Sequence, residues 1–353
     1  MELIHGGDWV GFFREYGRLP LDFSASISPL GMPEGVERTA AEALAVADRY
    51  PDPLCRRLRE ALAVRFGLDP ELVVCGGGTA ELILRIALAL RPGTALILTP
   101  TFAEYERTLS QVGARILRYT LRRENGFRVR EDFLDRITED VDMVILCEPN
   151  NPTGRTTPPS LLHAIWEKCE KKDTWLVADE CYLPFLDAPR EHTLTGKLMC
   201  SERLMVLRSF TKWYAMAGLR LGACLCGSGD LAAGLREAGA PWTVSSVAEA
   251  AGLAALREKA YDDRLRRVIG RERGRLAQGL RGLGCEVVPG EANFLLFSCG
   301  ARGLYTGLRE RGILLRDCGN FEGLEPGWYR TAVRTEEENG RLLAVLEEVL
   351  GHG

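Results

Sequence analysis

Residues 208–222, RSFTKWYAMAGLRLG, gather two small hydroxyls, one lysine and one arginine between two apolar segments. A lysine amine can condense with an aldehyde, and hydroxyls with a guanidinium can hold a dianionic phosphate. Ser209, Thr211, Lys212 and Arg220 therefore suit a phosphorylated aldehyde. Attack by Lys212 requires a pKa depressed by burial or by nearby cations, and Arg220 is one such cation. A solvated lysine at a strand end is the plainer reading of Lys212 by itself. The rest of the chain has to supply a phosphate cradle, a group that bonds the ring, and a partner for a ring nitrogen.

Candidates for each part are present. The run GGGTAE at 76–81 follows a short apolar strand and opens a helix. Glycines let backbone N–H groups close around a phosphate, and a helix N-terminus favours its charge. Thr79 stands where a capping or phosphate-binding hydroxyl would lie. The run is neither GxGxxG nor GxxxxGK[ST], so a dinucleotide or ATP loop is not indicated. Asp179 ends the apolar run WLVAD, where a carboxylate is costly unless paired. A pyridinium nitrogen is a natural partner, which makes the aldehyde pyridoxal phosphate. Asn151 and Tyr182 can bond the ring's phenolate oxygen, and Phe102 can stack on its face. A helix cap at Asp179, a turn asparagine, a surface tyrosine and a core phenylalanine are the plainer alternatives.

Arginines gather late in the chain. Arg330, within YRTAV, offers a fork that matches an α-carboxylate. Arg334 lies four residues on, which would put it on the same strand face. Arg316 ends a neighbouring strand, and His5 sits beside two glycines. These cations exceed the need of one carboxylate, and a second anionic group on the substrate would account for them. Surface salt bridging is the alternative for Arg316 and Arg334.

The elements that must position these groups alternate. Strands are predicted at 71–75, 95–99, 115–120, 141–148, 174–180, 203–210 and 221–227. Helices are predicted at 34–47, 54–66, 80–90, 103–113, 131–137 and 158–172. This βα alternation implies a mostly parallel sheet covered on both faces, with the last strand antiparallel. The chemical groups cluster just past the strands' C-terminal ends, where open α/β sheets place ligands. The texture changes near residue 229. A helix at 230–239 and one long helical tract at 247–284, with Gly252, Gly270 and Gly274 marking bends or close packing, lead into a second unit. That unit alternates short strands with the helix 301–312 and ends in a helix at 336–350. The expected division is an arm at 1–32, a large domain at 33–245, and an interdomain helix with a small domain at 246–353. The first 30 residues, rich in glycine and serine, favour an unanchored arm on composition.

The bulk composition fits a soluble two-domain protein: 353 residues, 46% hydrophobic and 27% charged. A formal net charge of -4 argues against general nucleic-acid binding. Eleven cysteines are scattered without a CxxC pair, so a metal site is not expected. Several, such as Cys75, Cys147 and Cys224, fall in apolar runs that read as buried thiols, which fits a reducing cytoplasm. No signal peptide and no transmembrane run are read.

The ordered set GGGTAE, PTFAEY, PNNPTG, ADECY, SFTKWYAMAGLRLG and YRTAV resembles the fold type I pyridoxal phosphate enzymes across essentially the whole chain. It is most similar to the branch that holds histidinol-phosphate aminotransferase and threonine-phosphate decarboxylase. The resemblance implies an α/β fold, with a large domain around a mostly parallel seven-stranded sheet and a smaller α/β C-terminal domain. It implies Lys212 as the Schiff-base lysine, Asp179 on the ring nitrogen, Tyr182 and Asn151 on the phenolate, and Phe102 stacking where many relatives use tyrosine. Phosphate contacts fall on Ser209, Thr211, Arg220 and the backbone from Gly78 through Thr79 and Ala80. Tyr50, in YPDP, is similar to a tyrosine that reaches the phosphate in a neighbouring subunit, which implies a homodimer. Arg330 matches the carboxylate-binding arginine. The chain's two ends resemble the decarboxylase pattern more than the aminotransferase one, which implies loss of CO2 from threonine O-3-phosphate to give aminopropanol phosphate for cobalamin, with His5, Arg316 and Arg334 on the substrate phosphate. Ser26 and Ser28 depart from that pattern, which reads asparagine at both places.

Overall fold

The computed structural model describes residues 5–300 and 303–351. The arm's first four residues, the start of the helix predicted at 301–312 and the last two residues lie outside them. The large sheet is built from β2 (Val73–Gly76), β3 (Thr94–Thr99), β4 (Arg115–Thr120), β5 (Met143–Cys147), β6 (Trp175–Asp179), β7 (Leu204–Ser209) and β8 (Gly222–Cys226). Before it come α1 (Trp9–Tyr16), β1 (Leu21–Asp22), α2 (Glu34–Glu42) and α3 (Arg56–Phe66). The strand order is β2-β8-β7-β6-β5-β3-β4. Neighbours pair in parallel except at β8, which runs antiparallel to both β2 and β7. Every residue of β3 and β5 is buried. A strand covered on both faces needs continuous apolar sequence, as in these two runs.

The covering helices are α4 (Thr79–Leu90), α5 (Glu104–Gln111), α6 (Pro159–Lys171) and α7 (Gly229–Glu237). The segment predicted as a helix at 131–137 is instead a 3-10 turn at Glu131–Arg136. A second correction concerns the long tract at 247–284. It is two helices, α8 (Ser246–Ala255) and α9 (Lys259–Gly282). The break at residues 256–258 contains neither glycine nor proline, so no breaker marks it. Gly252 serves close packing instead, since a Cβ there would meet Leu221 Cδ2 at 2.5 Å.

The second sheet is fully antiparallel, in the order β12-β13-β10-β9. It comprises β9 (Glu286–Val287), β10 (Phe294–Ser298), β12 (Arg316–Asp317) and β13 (Trp328–Ala332). With it go α10 (Leu304–Glu310), β11 (Ile313–Leu314) and α11 (Glu336–Gly351).

The arm is not loose, contrary to its composition. Asp8 caps α1 by accepting from Gly11 N–H, and Gly17, at φ 67°, ends it. Strand β1 pairs in parallel with β11, Leu21 opposite Ile313. Phe23 is fully buried, and its carbonyl accepts from Ala332 N–H at 2.8 Å. Beyond it Ser24, Ser26 and Ser28 alternate as buried residues. A serine-rich segment can be buried where its polar groups find partners. Here Asp22 accepts from Ser24 N–H at 2.7 Å and from its hydroxyl at 2.6 Å.

Candidate active site

Four parallel strands and one glycine loop end at the same edge of the large sheet. The register sets Cys147 beside Asp179, Asp179 beside Leu207, and Gly222 between Ser209 and Gly76. Ser209 and the start of the glycine loop are therefore two strands apart, with a glycine between. A Cβ on Gly222 would meet Thr79 N at 2.9 Å, and one on Gly78, whose φ is +99°, would meet Arg220 Nη2 at 2.6 Å. Only glycine lets the loop, the arginine and the strand close to this distance.

One cavity at this edge is lined by Thr79, Ala80, Phe102, Asn151, Asp179 and Tyr182 together with Ser209, Thr211, Lys212 and Arg220. Ten residues singled out in the sequence thus meet in one space. Burial, with Arg330 and Arg220 nearby, brings the Lys212 amine down to about 8. A buried cation next to other cations loses its proton more readily.

Asp179 is nearly inaccessible, and its carboxylate is held from two sides. Tyr105 O–H donates to Oδ2 at 2.7 Å, and Cys181 N–H donates to Oδ1 at 3.1 Å. Burial first, then the Asp179 charge, raises the Tyr105 phenol well above its usual range and keeps it a donor. Sequence reasoning gave Tyr105 no role. The available signal was its place three residues after Phe102, on the same side of a helix start; the two rings lie edge to face, 5.5 Å apart. The neighbouring Glu180 turns the other way. It is completely buried and bonds Arg208 at 2.7 Å, Thr193 O–H at 2.8 Å and Leu194 N–H at 2.7 Å.

The substrate-facing candidates divide. Arg330 is buried next to the cavity rather than in its lining; it donates to Asn151 Oδ1, which is part of the lining, and, at 2.7 Å, to the Ser24 carbonyl. Its Nε is buried without a hydrogen-bond partner. Arg316 is cross-strand from Arg330. It borders a second cavity of about 400 Å³ that shares the Phe102 wall, donates to Asn320 Oδ1 at 2.7 Å, and stacks on Phe321 at 4.9 Å. Arg334 does not continue the face of Arg330, because β13 ends at Ala332. Its guanidinium donates to Glu338 at 2.6 Å and to the Asp22 carbonyl at 3.2 Å, and it lines neither cavity. His5 sits at the mouth, 5.5 Å from the Phe102 ring, with Nε2 2.7 Å from Glu104 Oε1. Tyr50 lies outside the cavity of its own chain, 83% exposed and 4.9 Å from Trp242.

The donors present fit a phosphorylated aldehyde ring. Hydroxyls, a helix N-terminus and Arg220 offer donors for a phosphate, and an aromatic ring, a carboxylate and the lysine line the same cavity.

The model of the family "Aminotransferase class I and II" matches residues 22–346, and the chain belongs to that family. Within it, the chain is a fold type I pyridoxal phosphate enzyme related to both the threonine-phosphate decarboxylases and the histidinol-phosphate aminotransferases. It is 38% identical to the threonine-phosphate decarboxylase of Salmonella typhimurium, over 98% of this chain and 96% of that one. It is 34% identical to a histidinol-phosphate aminotransferase of Nitratidesulfovibrio vulgaris, over 92% and 87% of the two chains. The structure of the histidinol-phosphate aminotransferase from Clostridium acetobutylicum superposes with a TM-score of 0.87 at 28% identity, covering 94% of this chain and 99% of that one. No helix among the described residues is long and apolar enough to cross a membrane.

Proposed function

We propose that the protein decarboxylates L-threonine O-3-phosphate, or a close phosphorylated amino acid, to (R)-1-aminopropan-2-yl phosphate and CO2. One observation carries this choice of branch. The likeness to the Salmonella typhimurium decarboxylase is higher in identity than that to the Nitratidesulfovibrio vulgaris aminotransferase and runs over 98% of the chain, arm and second sheet included. Those are the parts that bring His5, Arg316 and Arg330 toward the cavity.

Bound pyridoxal phosphate would supply an aldehyde for Lys212 and a protonated ring that accepts the electron pair released at Cα. In this reading Ser209, Thr211, Arg220 and the N-terminus of α4 from Gly78 through Ala80 hold its phosphate. Asp179, oriented by Tyr105, keeps the ring nitrogen protonated. Tyr182 and Asn151 bond the phenolate, and Phe102 covers one face. Arg330 binds the substrate carboxylate through its unpartnered Nε edge, while His5 and Arg316 meet the substrate phosphate. These contacts would fix how the substrate is oriented in the cavity and thereby which of its Cα bonds is cleaved. Lys212 is the group that can move a proton at Cα.

The reading includes the division at 1–32, 33–245 and 246–353, and a homodimer in which Tyr50 reaches the cofactor phosphate of the neighbouring subunit. Its exposure in the single chain supports that role. A cytoplasmic place is supported by eleven free cysteines, all but Cys200 buried. The product would feed cobalamin synthesis.

A second reading is transamination of histidinol phosphate, favoured by the close superposition on the Clostridium acetobutylicum aminotransferase. Carboxyl-labelled threonine phosphate separates the two. Label released as CO2 without any keto acid supports decarboxylation. Product that forms only with an added keto acid, with the label retained, overturns it.

A further inference from the structure

Lys212 is held from behind by residues that no motif marks. Its backbone carbonyl accepts a 2.9 Å bond from Ser28 N–H in the arm. The Ser28 hydroxyl lies 2.6 Å from the hydroxyl of Tyr261, in the first turn of α9. Tyr261 O–H in turn donates to the Gly31 carbonyl at 2.7 Å, with the Trp213 carbonyl 3.2 Å away. A phenol has one proton, so when Tyr261 donates to a carbonyl the Ser28 hydroxyl is the donor to Tyr261. Burial raises the phenol, which keeps that proton in place. The Tyr261 ring stacks on Tyr214 at 6.0 Å, and the adjacent Asp262 accepts from Trp213 Nε1 at 2.5 Å. The first turn of α9 thus grips the two residues that follow the lysine and the arm segment that bonds the lysine itself. Tyr261 does not line the cavity.

We propose that Tyr261 is a positioning residue for Lys212, acting through Ser28 and the Trp213 carbonyl to keep the lysine backbone at one depth below the cavity. The proposal rests on the reading of Lys212 as the reactive lysine. A lysine amine rides on a flexible four-carbon stem, so its reach is centred by where its backbone is fixed. Position 28 is also one of the two places where the sequence departs from the asparagine of the decarboxylase pattern. A serine there supplies a hydroxyl donor to the phenol in addition to the backbone N–H that bonds Lys212.

The test compares Tyr261→Phe and Ser28→Ala with the parent protein. Tyr261→Phe should lower kcat about tenfold with KM little changed, since misplacement remote from the chemistry acts on the reacting geometry. It should also shift the pH midpoint of the lysine-bound cofactor's absorption band. In the protein without cofactor it should speed amide exchange at residues 211–214. Ser28→Ala keeps the backbone bond to Lys212 and should move the same readouts less, and the double variant should fall no further than Tyr261→Phe. If Tyr261→Phe fails to fold, Ser28→Ala decides by the same readouts. Parent-like kcat, band titration and amide exchange in these variants, or a change confined to melting temperature, overturns the proposal. Lys212→Ala separates the two layers. If it keeps the absorption band, the reading of Lys212 is wrong; if it loses the band while Tyr261→Phe behaves as parent, only the positioning role is wrong.

Discussion

The edge of the large sheet and the arm with its neighbouring arginines meet at one cavity but are built differently. At the sheet edge, strand register delivers Asp179, Ser209 and the glycine loop to fixed places, and Lys212 faces the cavity with a depressed pKa. On the other side, Arg334 is bound to Glu338, His5 to Glu104, and Arg316 to Asn320. Arg330 combines a bond to Asn151 of the cavity lining with a buried, unpartnered Nε. The first region is prepared for a cofactor that stays. In the second, under the proposed function, His5 and Arg316 would exchange protein partners for a substrate that leaves. Burial without a substitute for the ligand suits permanent binding, whereas cations already satisfied by protein partners give weaker and more selective binding.

Substitutions in the two regions test this contrast. The largest effect is expected at the sheet edge. Asp179→Asn removes the charge while leaving an acceptor for Tyr105, and should lower kcat by about a hundredfold to a thousandfold, as losses of preorganised electrostatic contacts do. A parent-like kcat would separate Asp179 from the chemistry. The next effect concerns pH. A pKa of about 8 in place of 10.5 for Lys212 makes its neutral amine about three-hundredfold more abundant at pH 7. In the cofactor-free protein, reaction of Lys212 with a small aldehyde should rise with pH through about 8 and then level off. A profile still climbing at pH 10 would show an ordinary, solvated lysine.

On the substrate side the effects should be smaller and should fall on binding. Arg330→Lys keeps the charge but loses the fork, and should raise KM about tenfold to a hundredfold, the scale of a lost charged hydrogen bond. A fall in kcat with KM unchanged would move Arg330 to the chemical step. Glu104→Gln should change KM by about threefold or less, because its pair with His5 is part-exposed. A change in KM as large as that of Arg330→Lys would show that the arm is locked rather than exchangeable.

The sheet edge was legible in the sequence because its physics is local. Apolar runs ending in a polar residue mark buried parallel strands, and glycine followed by threonine marks a helix start that can hold an anion. Ten residues singled out by these signals, by their side-chain chemistry or by the family resemblance line one cavity. The arm's anchoring is hard to see because serines hold several of its buried positions, and apolar periodicity does not register a polar residue such as Ser24 satisfied by Asp22. The alternation of Ser24, Ser26 and Ser28 was the signal available. The break between α8 and α9 is invisible in the sequence because no glycine or proline at 256–258 marks it. Arg334 was misplaced because strand periodicity was carried two residues past the end of β13. Tyr105 went unassigned because its partner Asp179 is 74 residues away.

Under the proposed function Lys212 holds the aldehyde of pyridoxal phosphate. Borohydride reduction of the loaded protein, followed by peptide mapping, tests it directly. The account predicts one modified peptide, with the phosphopyridoxyl group on Lys212. Label on any other lysine, or none after reduction, would contradict it.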